Sequence, residues 1–185
     1  MGSSSQNLPY CDSSVRSTSD HFCPAYFQQW PYEQLSAAIR DLLKPVIDKL
    51  NQYIPGLMKE HEVLSDSLGP IFPLGSTPFC MAVLNKQFVS WGHRDLGNME
   101  DTICLIFAFG QFDGGALCIY EPGIVLGLPH GRFAAIRSKR NVHFNLDFVG
   151  NRFSFVFTSD GSLKRWEGKQ NGWKELQPTP EIVGQ

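Results

Sequence analysis

The sequence predicts an α+β fold that is mainly β: a double-stranded β-helix (jelly roll, cupin-like) with N-terminal helices packed on one sheet. Two observations carry this prediction. Apolar residues recur at three- and four-residue steps over residues 32–53, which indicates an amphipathic helix. From Phe79 onward, short apolar runs alternate with Gly, Asn and Asp, which indicates many short strands. Helices followed by such strands are typical of a jelly roll buttressed on one side.

The length of 185 residues and mass of 20.8 kDa suit one domain with a sizeable core. We expect a disordered tail over residues 1–20, a single domain over 21–176 and a second tail over 177–185. Within the domain, residues 32–68 provide helical support and residues 79–158 form the β-helix core. Pro45 should kink or split the first helix, and a second short helix should lie within 54–68, ended by Gly69-Pro70.

Eight strands are predicted in the core. The segment Gln111–Gly115 is expected to be a hairpin turn, because Gly114 and Gly115 tolerate positive φ. After residue 158 the chain becomes polar, and we expect one last hairpin there. The predicted strands are 79–85, 87–92, 101–109, 115–120, 123–127, 132–137, 140–146 and 152–158.

Composition argues against several classes of protein. A net charge of −2 and a pI of about 6.2 do not suit broad neutralisation of duplex DNA, although a local basic groove is compatible with them. The five cysteines form no C-x-x-C pair, so no zinc ribbon is encoded and reduced thiols are expected. No run is apolar enough to span a bilayer, and no signal peptide is evident. We therefore expect an intracellular protein, nuclear or cytoplasmic, that is a monomer.

The most informative motif is the H-x-D pair of His93 and Asp95. On an extended chain these two side chains point to the same face, so both can coordinate one ion. A second histidine, His143, lies in a strand-like context downstream. Two histidines and one carboxylate form the facial triad of non-haem Fe(II) oxygenases, with coordination positions left open. The alternatives are a surface turn for the H-x-D pair and a packed strand histidine for His143.

Nine positions after His143 come Arg152 and then Ser154, in a strand whose other face carries phenylalanines. A buried arginine needs an anion, and its planar fork fits a carboxylate. The far carboxylate of 2-oxoglutarate is such an anion, with the Ser154 hydroxyl beside it. Alternatively, Arg152 pairs with a structural acid such as Asp147.

This order of residues resembles the Fe(II)/2-oxoglutarate-dependent dioxygenase superfamily over about residues 79–158. Within it, the segment His93–Met99 is similar to the HRD-x-x-NM segment of the TET and J-binding-protein branch, which oxidises methyl groups on DNA pyrimidines. The resemblance implies Fe(II) held by the two histidines and Asp95, 2-oxoglutarate as cosubstrate and O₂ as the oxidant. It further implies that Asn98 touches the target base and that Arg152-Phe153-Ser154 clamps the cosubstrate. The zinc-binding region that TET enzymes carry has no counterpart in this sequence.

The predicted function is hydroxylation of a C–H bond by such a dioxygenase, with the methyl group of 5-methylcytosine or thymine in nucleic acid as the first candidate substrate. One alternative is a dioxygenase that acts on a small metabolite, a free nucleoside or a protein side chain. Another is a non-catalytic jelly-roll binding module.

Four further residues are candidates for the site, each with an alternative. Asn85 could reach 2-oxoglutarate or bond to backbone, and Asn98 could touch a base or hold a turn. Arg94 could contact substrate or form a surface salt bridge. Trp91 could line the pocket or pack in the core. The basic run Arg137–Arg140 could touch a phosphate or be a solvated turn.

Overall fold

The protein is described from a computed structural model, which covers residues 30–68 and 77–168. Two helices precede seven strands, and one short helix follows them. In chain order the elements are α1 Trp30–Tyr53, α2 Lys59–Leu68, β1 Met81–Lys86, β2 Cys104–Gly114, β3 Leu117–Ile119, β4 Ile124–Leu126, β5 Arg132–Ile136, β6 His143–Asn145, β7 Phe148–Thr158 and α3 Gly161–Gly168.

The strands form two antiparallel sheets. The larger sheet has the order β1-β7-β2-β5, and the smaller has the order β4-β3-β6. Sequential strands repeatedly change sheets, as β2 to β3 and β6 to β7 do, which is how a jelly roll is wound. The predicted fold class is therefore confirmed: the protein is α+β, mainly β, and jelly-roll-like.

Side-chain alternation along β2 and β7 gives the larger sheet two different faces. Leu105 on β2 and Phe157 on β7 are buried against Leu43 of α1 and Met58. On the opposite face, Ile106 of β2 packs with residues of the smaller sheet and its neighbours. Because successive side chains of a strand point to opposite faces, one set packs on the helices and the next faces the space between the sheets. The helices thus cover one sheet, as predicted, and leave its inner face for a site.

Helix α1 continues through Pro45, so the predicted split of this helix is wrong. Apolar residues on both sides of the proline, including Leu43 and Ile47, pack on the same core cluster. Packing of this stripe holds the helix together despite the missing backbone donor of proline. The second helix is confirmed as α2, whereas its expected stop at Gly69-Pro70 lies outside the described residues.

Seven of the eight predicted strands are present with shifted ends, and the strand predicted at 87–92 is absent from the structure. Gln87 has a positive φ of 50°, which takes the chain out of β1. The chain then runs without a strand partner until His93, which forms an isolated bridge with His143. The H-x-D pair therefore stands on a loop rather than on a strand.

The segment Gln111–Gly115 is not a hairpin turn. Strand β2 extends to Gly114 and pairs there with β7, while β3 pairs with β4 and β6. Gly114 and Gly115 have φ values of 84° and 68°, so they do turn the chain as their residue type predicts. The turn carries the chain from the larger sheet to the smaller one. Only the long-range pairing of β2 with β7 distinguishes such a turn between sheets from the turn of a hairpin.

Between residues 159 and 168 the structure has no hairpin of the kind expected after residue 158; α3 occupies Gly161–Gly168 there, and the rest of this segment lies outside the described residues. Asp160 begins this helix, because its Oδ1 accepts a hydrogen bond of 2.6 Å from the backbone N–H of Ser162. Both predicted tails lie outside the described residues. None of the helices in the described ranges is long and apolar enough to cross a membrane.

Candidate metal centre

Three side chains from two distant parts of the sequence converge between the sheets. His93 Nε2 lies 3.4 Å from Asp95 Oδ1, and His143 Nε2 lies 3.8 Å from Asp95 Oδ2. One ligand atom from each of the three residues can be chosen so that all lie within 4.8 Å of one another. This group could hold a metal ion, and it is the group that the sequence predicted.

The backbone brings the two histidines together. His93 N donates to His143 O at 3.1 Å, and His143 N donates to His93 O at 2.9 Å. A residue pair that exchanges both bonds is a hydrogen-bonded antiparallel pair, in which the side chains leave toward the same face. The two imidazole rings accordingly lie 4.3 Å apart between centroids.

Each imidazole is held in a defined tautomer. His93 Nδ1 lies 2.7 Å from the carbonyl oxygen of Trp91, and His143 Nδ1 lies 3.1 Å from that of Asn141. A carbonyl oxygen can only accept, so each Nδ1 carries the hydrogen and donates it. In a neutral imidazole this leaves Nε2 as the atom with the free lone pair, and both Nε2 atoms face Asp95, which is the arrangement that metal-ligating histidines adopt.

Burial differs across the group and sets its electrostatics. The side chain of His143 is 6% exposed, against 43% for His93 and 29% for Asp95. Burial holds the pKa of His143 below its usual value, although the Asn141 carbonyl and the Asp95 charge oppose that shift. A lowered pKa keeps this imidazole neutral, the form that binds a metal. The candidate metal-binding group is therefore shielded from solvent at His143 and accessible to solvent at His93.

The donor set fits Fe(II). Two imidazole nitrogens and one carboxylate are the ligands of the facial-triad iron sites, which leave the remaining positions open. Ligands at about 2.1 Å on adjacent corners of an octahedron lie about 3 Å apart. The separations of 3.4 and 3.8 Å are to different oxygens of Asp95, and one ligand atom from each residue lies within 4.8 Å of the others, so the three side chains must move closer together to reach that value.

Arg152 is buried in the wall of the cavity that the triad also lines, and it has no charged partner within residues 30–68 and 77–168. It is 3% exposed, and its Nε has no hydrogen-bond partner among the described residues. Its guanidinium carbon lies 5.4 Å from the ring centroid of Phe112 and 5.6 Å from that of Phe148. Burial lowers its pKa, yet an arginine stays charged in proteins. A buried and unpaired charge of this kind implies an anionic ligand.

The alternative pairing of Arg152 with Asp147 does not occur. Across residues 30–68 and 77–168, no carboxylate oxygen lies within 4.0 Å of the guanidinium nitrogens, and Asp147 is exposed. The chain turns sharply just before β7, and the Asp147 carbonyl accepts a hydrogen bond from Gly115 instead.

A cavity of about 630 Å³ joins the triad to Arg152 and Ser154. Asn85 lies directly opposite Ser154 in the register of β1 and β7, and both line this cavity. Its walls come from the inner faces of both sheets and include Val83, Ile106, Leu117, Asn145 and Val156. Metal ligands and a buried cation thus share one space that is lined by both apolar and polar side chains.

The structure gives different surroundings to the three residues predicted to contact substrate, which are Asn98, Arg94 and Trp91. Asn98 is 9% exposed, and its Nδ2 donates to Ser138 Oγ at 2.8 Å and to Asp95 Oδ2 at 3.4 Å. It lines the cavity, but its amide is already engaged in holding the turn after Asp95. Arg94 forms a surface salt bridge of 2.6 Å with Glu121.

Trp91 is 91% exposed and is absent from the described residues that line the cavity. It therefore neither lines the pocket nor packs in the core, the two places predicted for it.

The basic run Arg137–Arg140 is largely paired with acids. Lys139 Nζ lies 3.1 Å from Glu100, and Arg140 pairs with Asp101.

Sequence reasoning missed several residues around the site. Ser138 receives the Asn98 bond, and its carbonyl accepts the backbone N–H of Asp95 at 3.1 Å. Phe112 and Phe148 flank Arg152. Nothing local marks these residues, because their roles depend on contacts with residues far away in the sequence.

The fold and the triad together define an α+β, jelly-roll-like protein with a candidate two-histidine, one-carboxylate metal centre. The sequence matches no family model and no curated protein. In three dimensions, the chain is similar to NgTET1 in complex with 5mC DNA, with a TM-score of 0.60 and 16% sequence identity. The similarity covers 74% of this chain and 54% of that one, so the chain spans about half the length of NgTET1.

Proposed function

We propose that the protein is an Fe(II)- and 2-oxoglutarate-dependent dioxygenase that hydroxylates a methyl group of a methylated pyrimidine in nucleic acid. The observation that carries this proposal is the convergence of His93, Asp95 and His143 within 4.8 Å, in one cavity with the buried and unpaired Arg152. An anion-binding cation beside a facial triad is what this chemistry needs.

The metal would be held by the Nε2 atoms of both histidines and a carboxylate oxygen of Asp95. When bound, Fe(II) with 2-oxoglutarate and O₂ supplies the oxidant for C–H hydroxylation, and the protein positions the reactants. Backbone carbonyls fix both imidazole rings, and Asn98 restrains the carboxylate. These contacts preorganise the ligands before any metal arrives.

Arg152 would hold the far carboxylate of 2-oxoglutarate. Its charge is desolvated, and the two flanking aromatic rings limit its movement. The Ser154 hydroxyl and the Asn85 amide, paired across β7 and β1, could add neutral hydrogen bonds along the cosubstrate. A bidentate bond between a guanidinium and a carboxylate is the strong, directional contact in this arrangement.

The similarity to NgTET1, whose structure is a complex with 5mC DNA, supports a methylated pyrimidine as substrate. A base in a duplex would have to leave the stack to reach a cavity between two sheets. The net charge of −2 and the pairing of Lys139 and Arg140 with acids favour a second candidate, a small molecule such as a free nucleoside.

The test is succinate release in the presence of Fe(II), ascorbate and 2-oxoglutarate. We expect release to rise with an oligonucleotide that contains 5-methylcytosine, and mass spectrometry to detect 5-hydroxymethylcytosine. The same oligonucleotide without methylation and the His93→Ala variant are the controls. If only free nucleosides couple to succinate release, the second candidate replaces the first. If no substrate couples and no 2-oxoglutarate binds, the protein is a binding module and the proposal fails.

A further inference from the structure

The turn between β3 and β4 places one carboxylate between the two segments that carry the candidate ligands. Glu121 Oε1 accepts a hydrogen bond of 2.6 Å from Arg94 Nη2. Glu121 Oε2 accepts a second, of 2.8 Å, from the backbone N–H of Val142. Arg94 stands between His93 and Asp95 in the sequence, and Val142 directly precedes His143. A single side chain thus ties the H-x-D loop to the start of β6.

The turn that carries Glu121 is itself fixed to the same strand. Tyr120 N donates to Val142 O at 2.9 Å, and Gly123 N donates to Tyr120 O at 3.0 Å. The backbone of the turn that carries the Glu121 carboxylate is therefore held by hydrogen bonds, and both carboxylate oxygens accept hydrogen bonds as well. The hydrogen bond from Arg94 is the main cause of the lowered pKa of Glu121.

The loop that carries Asp95 is also held on its C-terminal side, where the backbone N–H of Asn98 donates to Asp95 O at 3.0 Å and Asn98 Nδ2 donates to Asp95 Oδ2 at 3.4 Å. The backbone pair between His93 and His143 fixes the two imidazoles, but it does not fix the residues that follow His93. On the far side, Asp95 is held through its backbone N–H by the carbonyl of Ser138. Arg94 directly precedes Asp95, so its bond to Glu121 restrains the backbone immediately before the carboxylate ligand.

We propose that Glu121 is a positioning residue that sets the distance and angle between Asp95 and the two histidines. This inference rests on the proposed metal centre and adds a residue to it. An exposed salt bridge ordinarily contributes little to stability. The structure therefore assigns Glu121 an effect on metal affinity that is large compared with its effect on folding.

The test is a titration of the metal-free protein with Co(II), followed by the visible absorption of the bound ion, with neither cosubstrate nor substrate present. Loss of an outer contact to metal ligands commonly weakens affinity 10- to 100-fold, so we expect about a tenfold loss in Glu121→Ala. The absorption bands should also change, because the ligand geometry changes. The matched control is Glu60→Ala, which removes an exposed acid that pairs with Lys164 at 3.1 Å on another part of the protein.

The thermal midpoint of the metal-free protein separates positioning from folding. We expect the midpoints of Glu121→Ala and Glu60→Ala to fall by a similar small amount, about 3 °C at most. The second variant, Arg94→Met, keeps the bond of Glu121 to Val142 and removes only the anchor on the loop. It should also weaken Co(II) binding while the protein remains folded.

Each outcome bears on a different statement. If the wild type binds Co(II) and both Glu121→Ala and Arg94→Met bind it within about twofold of the wild type, the positioning role is wrong and the metal centre stands. An equal loss in Glu60→Ala would likewise overturn it, because the effect would not be specific to the turn. If the wild type binds no Co(II), the metal centre and the positioning role both fall.

Discussion

His93 and His143 are joined by two backbone hydrogen bonds, of 3.1 and 2.9 Å, that cross from the loop after β1 to strand β6. This pair is an isolated bridge, since neither neighbouring segment extends it into a longer ladder. It aligns two imidazoles whose Nδ1 atoms are both engaged by backbone carbonyls. The candidate centre is therefore built from main-chain geometry, and substitutions should affect it in graded ways.

Removal of a ligand should abolish metal binding. We expect His93→Ala and Asp95→Ala to weaken Co(II) binding by more than about 100-fold, beyond the effect usual for outer contacts. The control is His130→Ala, because His130 accepts a hydrogen bond from Gly110 and is not part of the group. Titration of each purified variant provides the measurement, and retained affinity in Asp95→Ala would contradict the assignment.

Replacement of Arg152 should remove cosubstrate binding without unfolding the protein. Arg152→Met keeps an unbranched apolar side chain between Phe112 and Phe148 and deletes the unpaired charge. The lost charge pair with 2-oxoglutarate is worth about 3 kcal/mol, or about a hundredfold in affinity. Thermal melts with and without 2-oxoglutarate measure this, since a ligand of the folded state raises the midpoint. A variant that 2-oxoglutarate still stabilises would show that Arg152 is not the clamp.

A methyl group at Gly115 should disturb the same arginine. The Cβ of Gly115→Ala would lie 3.0 Å from Arg152 Nε and 3.2 Å from its Cδ. We expect a several-fold weaker affinity for 2-oxoglutarate, because the guanidinium must shift.

Gly131→Ala is the matched control for this strain. Gly131 has a φ of 79°, against 68° for Gly115, but nothing lies within 4 Å of an added Cβ. Both variants should lose about 1 kcal/mol of stability from backbone strain. Only Gly115→Ala should lose cosubstrate affinity, measured by calorimetry, and equal affinities would argue against the crowding.

The role of Asn98 can be decided by metal affinity. Its amide donates to Asp95 Oδ2 and Ser138 Oγ, so Asn98→Ala should weaken Co(II) binding about tenfold. If Asn98 served only to touch a substrate base, Co(II) affinity would be unchanged and only coupled turnover would fall. Ser138→Ala, which removes the acceptor and leaves Asn98 in place, should show a smaller loss.

Acid should destabilise the fold through His61 on α2. This side chain is fully buried against Phe79, its Nδ1 lies 2.8 Å from Ser159 Oγ, and burial lowers its pKa from 6.5 to about 4. Above pH 6.5 the imidazole is neutral in both the folded and the unfolded state. Below that value the unfolded state takes up a proton that the folded state refuses, so stability falls until about pH 4.

The size of the effect follows from the shift of the pKa. A difference of about 2.5 pH units, 6.5 minus 4, corresponds to about 3 kcal/mol in the free energy of unfolding. Urea unfolding between pH 7 and pH 4 would measure it. Burial also lowers the pKa of His143. The contribution of His61 is therefore isolated by comparing the stability of the wild type and of His61→Gln as a function of pH. If the two stability curves fall in parallel, His61 does not carry the effect.

Local patterns were enough to predict most of the strands and the first two helices. The alternation along Phe153–Phe157 put Arg152 and Ser154 on the face opposite the phenylalanines, and in the structure that face lines the cavity. His93 and Asp95 are two residues apart, and their side chains lie 3.4 Å from each other although the pair stands on a loop and not on the predicted strand. These features depend on neighbours in the sequence, where the chain's own geometry limits the outcome.

Features that depend on distant partners were not predictable in the same way. The turn at Gly114–Gly115 follows from glycine's freedom at positive φ, but its use between sheets rather than within a hairpin depends on β2 pairing with β7. Likewise, the polar segment after residue 158 became α3 where a hairpin was expected, with Asp160 as its cap.

The sequence by itself determined which residues could bind a metal and an anion. The residue types fix the available ligand atoms and charges, and the local spacing of these residues is given directly by the sequence. Only the tertiary structure decided that His143 meets His93, that Arg152 is buried without an acid, and that Asn98 bonds to Asp95 and Ser138. The physical reason is that these relationships arise from pairing and burial of segments far apart in the chain. Such contacts form only when the whole core closes.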